Sequence, residues 1–171
     1  VTDQGSDRAL LDALALLLVR DLEAARREVA AYADDAQPWR LLPGLPNSGG
    51  TLVLHMAGNL RHFIGAVLGG SGYVRDRDAE FAARDLPRSA LDAVLAATIG
   101  ELQHALAGLD PARLDAPLPV AVRGAHPETR TFLLHLGVHL AYHLGQLDAH
   151  RRAVTGDATG VDAMALGPLL G

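Results

Sequence analysis

The sequence predicts an all-α protein, a four-helix bundle in a single domain, and three observations carry that expectation. The hydrophobic share of 49% comes mainly from Ala, Leu and Val, with aromatics at only 4%, a composition that favours helices. Four stretches repeat their apolar residues at helical spacing. Between them lie segments rich in Pro and Gly that cannot continue a helix. At 171 residues the chain suits one sizeable core, so 1–171 is read as one domain.

The first helix is expected to be capped by Ser6 or Asp7 and to run to about Tyr32. Leu10, Leu14, Leu17, Leu18 and Leu22 form its apolar stripe, with Arg20, Glu23, Arg27 and Glu28 largely off it. The segment from Gln37 to Gly50 holds Pro38, Pro43, Pro46 and the single tryptophan, Trp39, and reads as an ordered loop. A second helix begins near Ser48 to Thr51 and is stopped after Leu68 by Gly69, Gly70 and Gly72. The polar stretch from Gly69 to Pro87 shows no strong helical stripe and is long for a link between antiparallel neighbours. It suits a chain that travels back along the bundle, leaving the second and third helices parallel. The third helix opens at Arg88 or Ser89 and carries Leu91, Val94, Leu95, Ile99, Leu102 and Leu106 up to Gly108. Within the loop from Asp110 to Glu128, the alternating piece Leu118 to Val122 could be extended, but its prolines make it a poor central strand. The fourth helix runs from about Thr129 to Val154 and ends at Gly156, before a tail rich in Ala and Gly.

A net charge of −5 with no basic run offers no footprint for nucleic acid or an anionic membrane, so neither partner is expected. The apolar stretch Leu10 to Val19 is preceded by Asp3 and Asp7 and interrupted by Asp12. It is too short to span a bilayer and lacks the basic start of a secretory peptide, and the expected location is the cytoplasm. With zero cysteines, any nucleophilic thiol must come from outside the chain and any metal must be held by nitrogen or oxygen.

Five of the eight histidines fall in two windows, His55 and His62 on the second helix and His135, His139 and His143 on the fourth. A spacing of four returns a side chain to the same helix face one turn on, so His139 can chelate an ion with either His143 or His135. It cannot do so with both in one site, because eight residues span about 12 Å of helix. A third ligand from a facing helix is needed, and His55 and His62, seven residues apart, are both candidates. Three neutral imidazoles with an open position describe a catalytic zinc site, and nickel is equally compatible with imidazole.

The segment His139-Leu140-Ala141-Tyr142-His143-Leu144-Gly145-Gln146 resembles the late ligand helix of the DinB/YfiT-like superfamily, with two histidines four apart and a following Gly-Gln. Asn47 to Arg61, containing His55 and Gly58-Asn59-Leu60-Arg61, resembles the first ligand helix of that superfamily. Trp39 precedes it in the matching loop, and Arg75-Asp76-Arg77-Asp78-Ala79-Glu80-Phe81 resembles the segment that follows in one branch. The resemblance spans roughly Trp39 to Arg152, and selects His143 over His135 and His55 over His62. It implies a bundle with helices running up, down, down, up, a divalent metal, zinc or nickel, held by His55, His139 and His143, and a homodimer. Characterised relatives include thiol S-transferases and isomerases that use low-molecular-weight thiols such as mycothiol or bacillithiol.

The expected function is therefore a metal-dependent enzyme acting on a small molecule, by thiol transfer or hydrolysis, with a low-molecular-weight thiol as co-substrate. The alternative is a non-catalytic protein that binds metal or a small ligand in a stress response. A metal with an open position lowers the pKa of water or a thiol there. Asn59, one turn beyond His55, and Gln146, three residues beyond His143, are placed to orient a ligand or substrate. His62 is read as lining the mouth of the pocket. Tyr142 falls on a different face from His143 and is read as packing. The charged segment Arg75 to Glu80 is read as solvated surface with internal ion pairs rather than as a cover for the pocket.

Overall fold

Leu11, Leu14, Leu18, Leu22, Ala25 and Val29 recur every three or four residues along α1 (Gln4–Ala30) and bury one face of it. The structure is a computed structural model that describes residues 4–170. Residues 1–3 and 171, included in the single-domain reading and containing Asp3, lie outside the described residues. The stripe differs from the expected one at three points. Leu11 rather than Leu10 is fully buried, Leu17 is exposed, and Glu28, expected off the stripe, has no exposed surface at all. The helix is also already under way before Ser6 and Asp7, so neither is its cap. Asp7 instead pairs with Arg130 at 2.8 Å.

The second helix, α2, spans Gly49–Leu60 and continues as a π-helix over Arg61–Leu68. There the amide of Gly69 bonds to the carbonyl five residues back, at Ile64, and Gly70 and Gly72 then turn the chain with φ of 68° and 76°. The stretch expected to lack helix contains a short one, α3 (Arg77–Ala82), begun where the Asp76 carboxylate accepts from the amide of Ala79 at 2.9 Å. Next come α4 (Arg88–Gly108), α5 (Thr129–Thr155) and a final short turn, α6 (Gly167–Leu170). No strand occurs among the described residues. The extended piece near Leu118 makes only isolated bridges, Pro117 with Glu128 and Val122 with Ala125.

The buried residues of α1, α2, α4 and α5 join in one hydrophobic cluster. Polar contacts pin their ends together. Asp7 and Glu28, near the two ends of α1, meet Arg130 and Arg151 at the corresponding ends of α5. Arg8 of α1 donates to the carbonyl of Leu106 late in α4, and Arg26 pairs with Asp92 early in α4. Arg61 pairs with Glu101, and Phe63 stacks edge-on with Phe132, closing α2 onto α4 and α5. Arg27 holds the tail against α1 by donating to the carbonyl of Val161. Among the described residues, no helix is long and apolar enough to cross a membrane.

Candidate metal centre

The start of α2 is fixed to within a residue, and this sets the height of His55 in the core. Ser48 accepts from the amide of Thr51 at 3.2 Å, capping the helix. Gly49 and Gly50 then lie so close to the Tyr32 hydroxyl and the Trp39 ring that a β-carbon would fall 2.2 Å and 2.8 Å from them. Trp39 is anchored in turn by its indole N–H, which donates to the carbonyl of Leu86 at 2.8 Å. The loop from Gln37 to Gly50 thus acts as a ruler for α2. On α5 the corresponding anchors are Thr129, whose hydroxyl donates to the carbonyl of Ala116, and Gly156, whose φ of 72° ends the helix.

These two helices bring His55, His139 and His143 together, with one nitrogen from each ring lying within 4.8 Å of the others. The Nε2 atoms of His139 and His143 are 3.1 Å apart. That is close to the separation of about 3.3 Å expected for two ligands of a tetrahedral ion with metal–nitrogen bonds of about 2.0–2.1 Å. On the outer side of His143, Gln146 Oε1 lies 2.7 Å from Nδ1, so the ring donates there and its Nε2 keeps a lone pair. His55 Nδ1 faces Glu80 at 3.3 Å.

Burial, reinforced by the neighbouring imidazoles, pushes the His139 pKa down to about 4. Burial also lowers His143, outweighing the opposing hydrogen bond that its ring donates to Gln146. Both rings are therefore neutral at pH 7, the form in which imidazole binds metal. Asn59, one turn beyond His55, is buried with an Oδ1 that has no hydrogen-bond partner among the described residues. Three imidazole nitrogens converging, with no carboxylate among them, fit a divalent ion with borderline-soft preferences.

Neither rival histidine belongs to the cluster. His135 is exposed, with its ring 6.0 Å from that of His139, and His62 packs edge-on against Phe63 at 4.7 Å. Tyr142 is exposed and rests on the edge of the His143 ring at 5.2 Å.

In the charged segment Asp76, Arg77 and Asp78 are exposed and Arg75 pairs internally with Glu80, as expected, but Glu80 itself departs from the solvated role. Glu80 is only 7% exposed, and Arg75 grips it with bonds of 2.6 and 2.8 Å while also approaching His55. Two sequence signals point to this: Asp76 three residues before Ala79, as a helix cap, and a glycine at position 58 in the middle of a helix.

Comparison with known proteins bears on the same two helices. A family model described as mycothiol S-transferase matches residues 13–156, more than four fifths of the chain. No curated protein matches the chain. The matched span takes in all three clustered histidines, Gln146 and the Arg75–Glu80 pair. The chain accordingly belongs to the mycothiol S-transferase family, within the DinB/YfiT-like superfamily.

Proposed function

We propose that the protein is a metal-dependent thiol S-transferase whose metal is held by His55, His139 and His143 and whose thiol is mycothiol or a close relative. The observation that carries this reading is the meeting of three imidazole nitrogens within 4.8 Å in a chain that has no thiol of its own. A divalent ion held there, zinc or nickel, would supply Lewis acidity that lowers the pKa of an incoming thiol. The chain's own part is to present neutral rings, fix their orientation and receive the small molecule. Gln146 keeps His143 in the tautomer whose Nε2 faces inward, and the unpaired Oδ1 of Asn59 accepts from a donor on the bound thiol or its partner. The thiol gives up its proton to solvent and its sulfur bonds to an electrophilic carbon of the second substrate as that carbon's bond to a leaving group breaks, the leaving group departing with the electron pair and taking a proton from solvent.

The helix arrangement in this reading is up, down, down, up. It is supported by the like ends of α1 and α5 that meet at Asp7 with Arg130 and Glu28 with Arg151. The opposite ends of α1 and α4 meet at Arg8 with Leu106 and Arg26 with Asp92. The single hydrophobic cluster supports one domain over 1–171. Leu134, Val138 and Tyr142 stand exposed along α5 beside Leu17 of α1, a face that a second copy would cover in a homodimer. A reduced thiol co-substrate suits the reducing cytoplasm, where we place the reaction.

The test is turnover of a small electrophile with mycothiol, using wild type and His139→Ala. Loss of metal and turnover together in the variant is expected. Metal binding by the wild type without turnover of any thiol would favour the non-catalytic binding protein instead.

A further inference from the structure

The segment between α2 and α4 makes contacts that a plain connection does not need. The six residues of α3, begun by the Asp76 cap, deliver Glu80 into a space against α2 at Gly58. A β-carbon at Gly58 would lie 2.0 Å from Glu80 Oε1 and 2.6 Å from its Cδ, so no other residue at 58 admits the carboxylate there. Gly58 is three residues beyond His55, which puts the opening beside the His55 ring. Arg75 Nε donates to Glu80 Oε1 at 2.6 Å and Arg75 Nη2 to Oε2 at 2.8 Å, a two-pronged grip that compensates the buried charge.

At His55 Nδ1 two contacts compete. Glu80 Oε2 and Arg75 Nη2 each lie 3.3 Å from that nitrogen. If Nδ1 carries the proton, it donates to Glu80 and Nε2 keeps a free lone pair. If Nδ1 is bare, Arg75 donates to it and the proton sits on Nε2, blocking that atom as a ligand. Arg75 already spends a donor of Nη2 on Glu80 at the shorter distance of 2.8 Å. The Phe81 ring, 5.1 Å from the His55 ring and covered by the Arg77 guanidinium at 4.7 Å, holds the imidazole from another side. We propose that Glu80, gripped by Arg75 and admitted by Gly58, is the positioning residue that sets His55 in its Nδ1–H form and so readies Nε2 for the metal. This rests on the reading of His55, His139 and His143 as metal ligands.

Two variants break the contact from opposite sides. Glu80→Ala removes the carboxylate, and Gly58→Ala leaves it in the chain but occupies its place. Cobalt(II) serves as the probe, because its visible absorption reports uptake and ligand geometry. The wild type is expected to take up one ion per chain, and each variant to bind it about 10–100-fold more weakly. Nitrogen-15 spectra of the metal-free histidines supply a readout that packing alone does not move. His55 is expected in the Nδ1–H form in the wild type, with the Nε2–H form gaining in Glu80→Ala. Circular dichroism of the metal-free variants separates lost affinity from lost fold, and Glu80→Ala alone decides the matter if Gly58→Ala unfolds. Equal cobalt affinity in wild type and variants, or an unchanged His55 tautomer, overturns the positioning role alone. Absence of cobalt uptake by the wild type overturns the metal reading and this role with it.

Discussion

Gln146 Oε1 accepts the Nδ1 proton of His143 at 2.7 Å, one turn along the same helix. The pair is built from local sequence alone, since residues three apart on a helix are neighbours. In the proposed site this hydrogen bond would orient the ring and raise its quality as a ligand. Gln146→Leu should weaken divalent-metal affinity about 10–100-fold with little effect on the metal-free fold, measured by competition against a chromophoric chelator. Unchanged affinity would remove Gln146 from the site.

Asn59 presents the converse situation, a buried Oδ1 with no partner among the described residues. A buried polar atom left unpaired costs about 1–3 kcal/mol, so Asn59→Leu should unfold at the same or a higher urea concentration than the wild type. If the oxygen serves a bound substrate, the same variant raises KM for the thiol or the electrophile. A large loss of stability with normal KM would assign Asn59 to the core instead.

The residues of the proposed metal centre were legible in sequence to different depths. The pair His139 and His143 follows from helical period, yet that period equally allows His135, and only the neighbouring Gly145-Gln146 separates them. The structure gives the physical reason: His143 has Gln146 on its outer nitrogen, while His135 sits exposed. His62 lies nearly on the His55 face of an ideal α-helix, but α2 becomes a π-helix at Arg61 and His62 turns to Phe63. Glu80 and Arg75 could not be read from any stripe, because their place is set by approach to Gly58 across the fold rather than by periodicity along it. Glu28 eluded the pattern for a related reason, being charged on a face that reads as solvent yet paired with a buried arginine far along the chain.

That arginine, Arg151, is 1% exposed and pairs with the fully buried Glu28 at 2.7 Å. It also donates to the carbonyls of Asp157 and Thr159, holding the chain after α5. Arg151→Met should cost about 3–5 kcal/mol by urea denaturation, because Glu28 is left buried without its counter-charge. Adding Glu28→Leu should recover part of that loss. A double variant less stable than Arg151→Met would contradict this account.

His150 contributes to the pH dependence of the metal-free fold, in the same direction as His139 and His143, whose pKa values burial also lowers. It is fully buried, donates from Nε2 to the carbonyl of Arg40 at 2.8 Å and accepts the Tyr32 hydroxyl on Nδ1 at 2.6 Å. Burial lowers its pKa, outweighing the opposing bond to Arg40. A histidine whose folded pKa lies below its ordinary value of about 6.5 takes up its proton first in the unfolded chain. Stability should therefore be level above pH 6.5 and fall as pH drops below it, followed by thermal unfolding of metal-free protein. A midpoint that rises on acidification through that range would contradict the assignment.

The most direct test of the account is the metal content of the protein purified without chelator, measured by elemental analysis for wild type and His139→Ala. The account predicts one divalent ion per wild-type chain and none in the variant. A wild type without stoichiometric metal, or a variant that keeps it, would contradict the three-histidine centre.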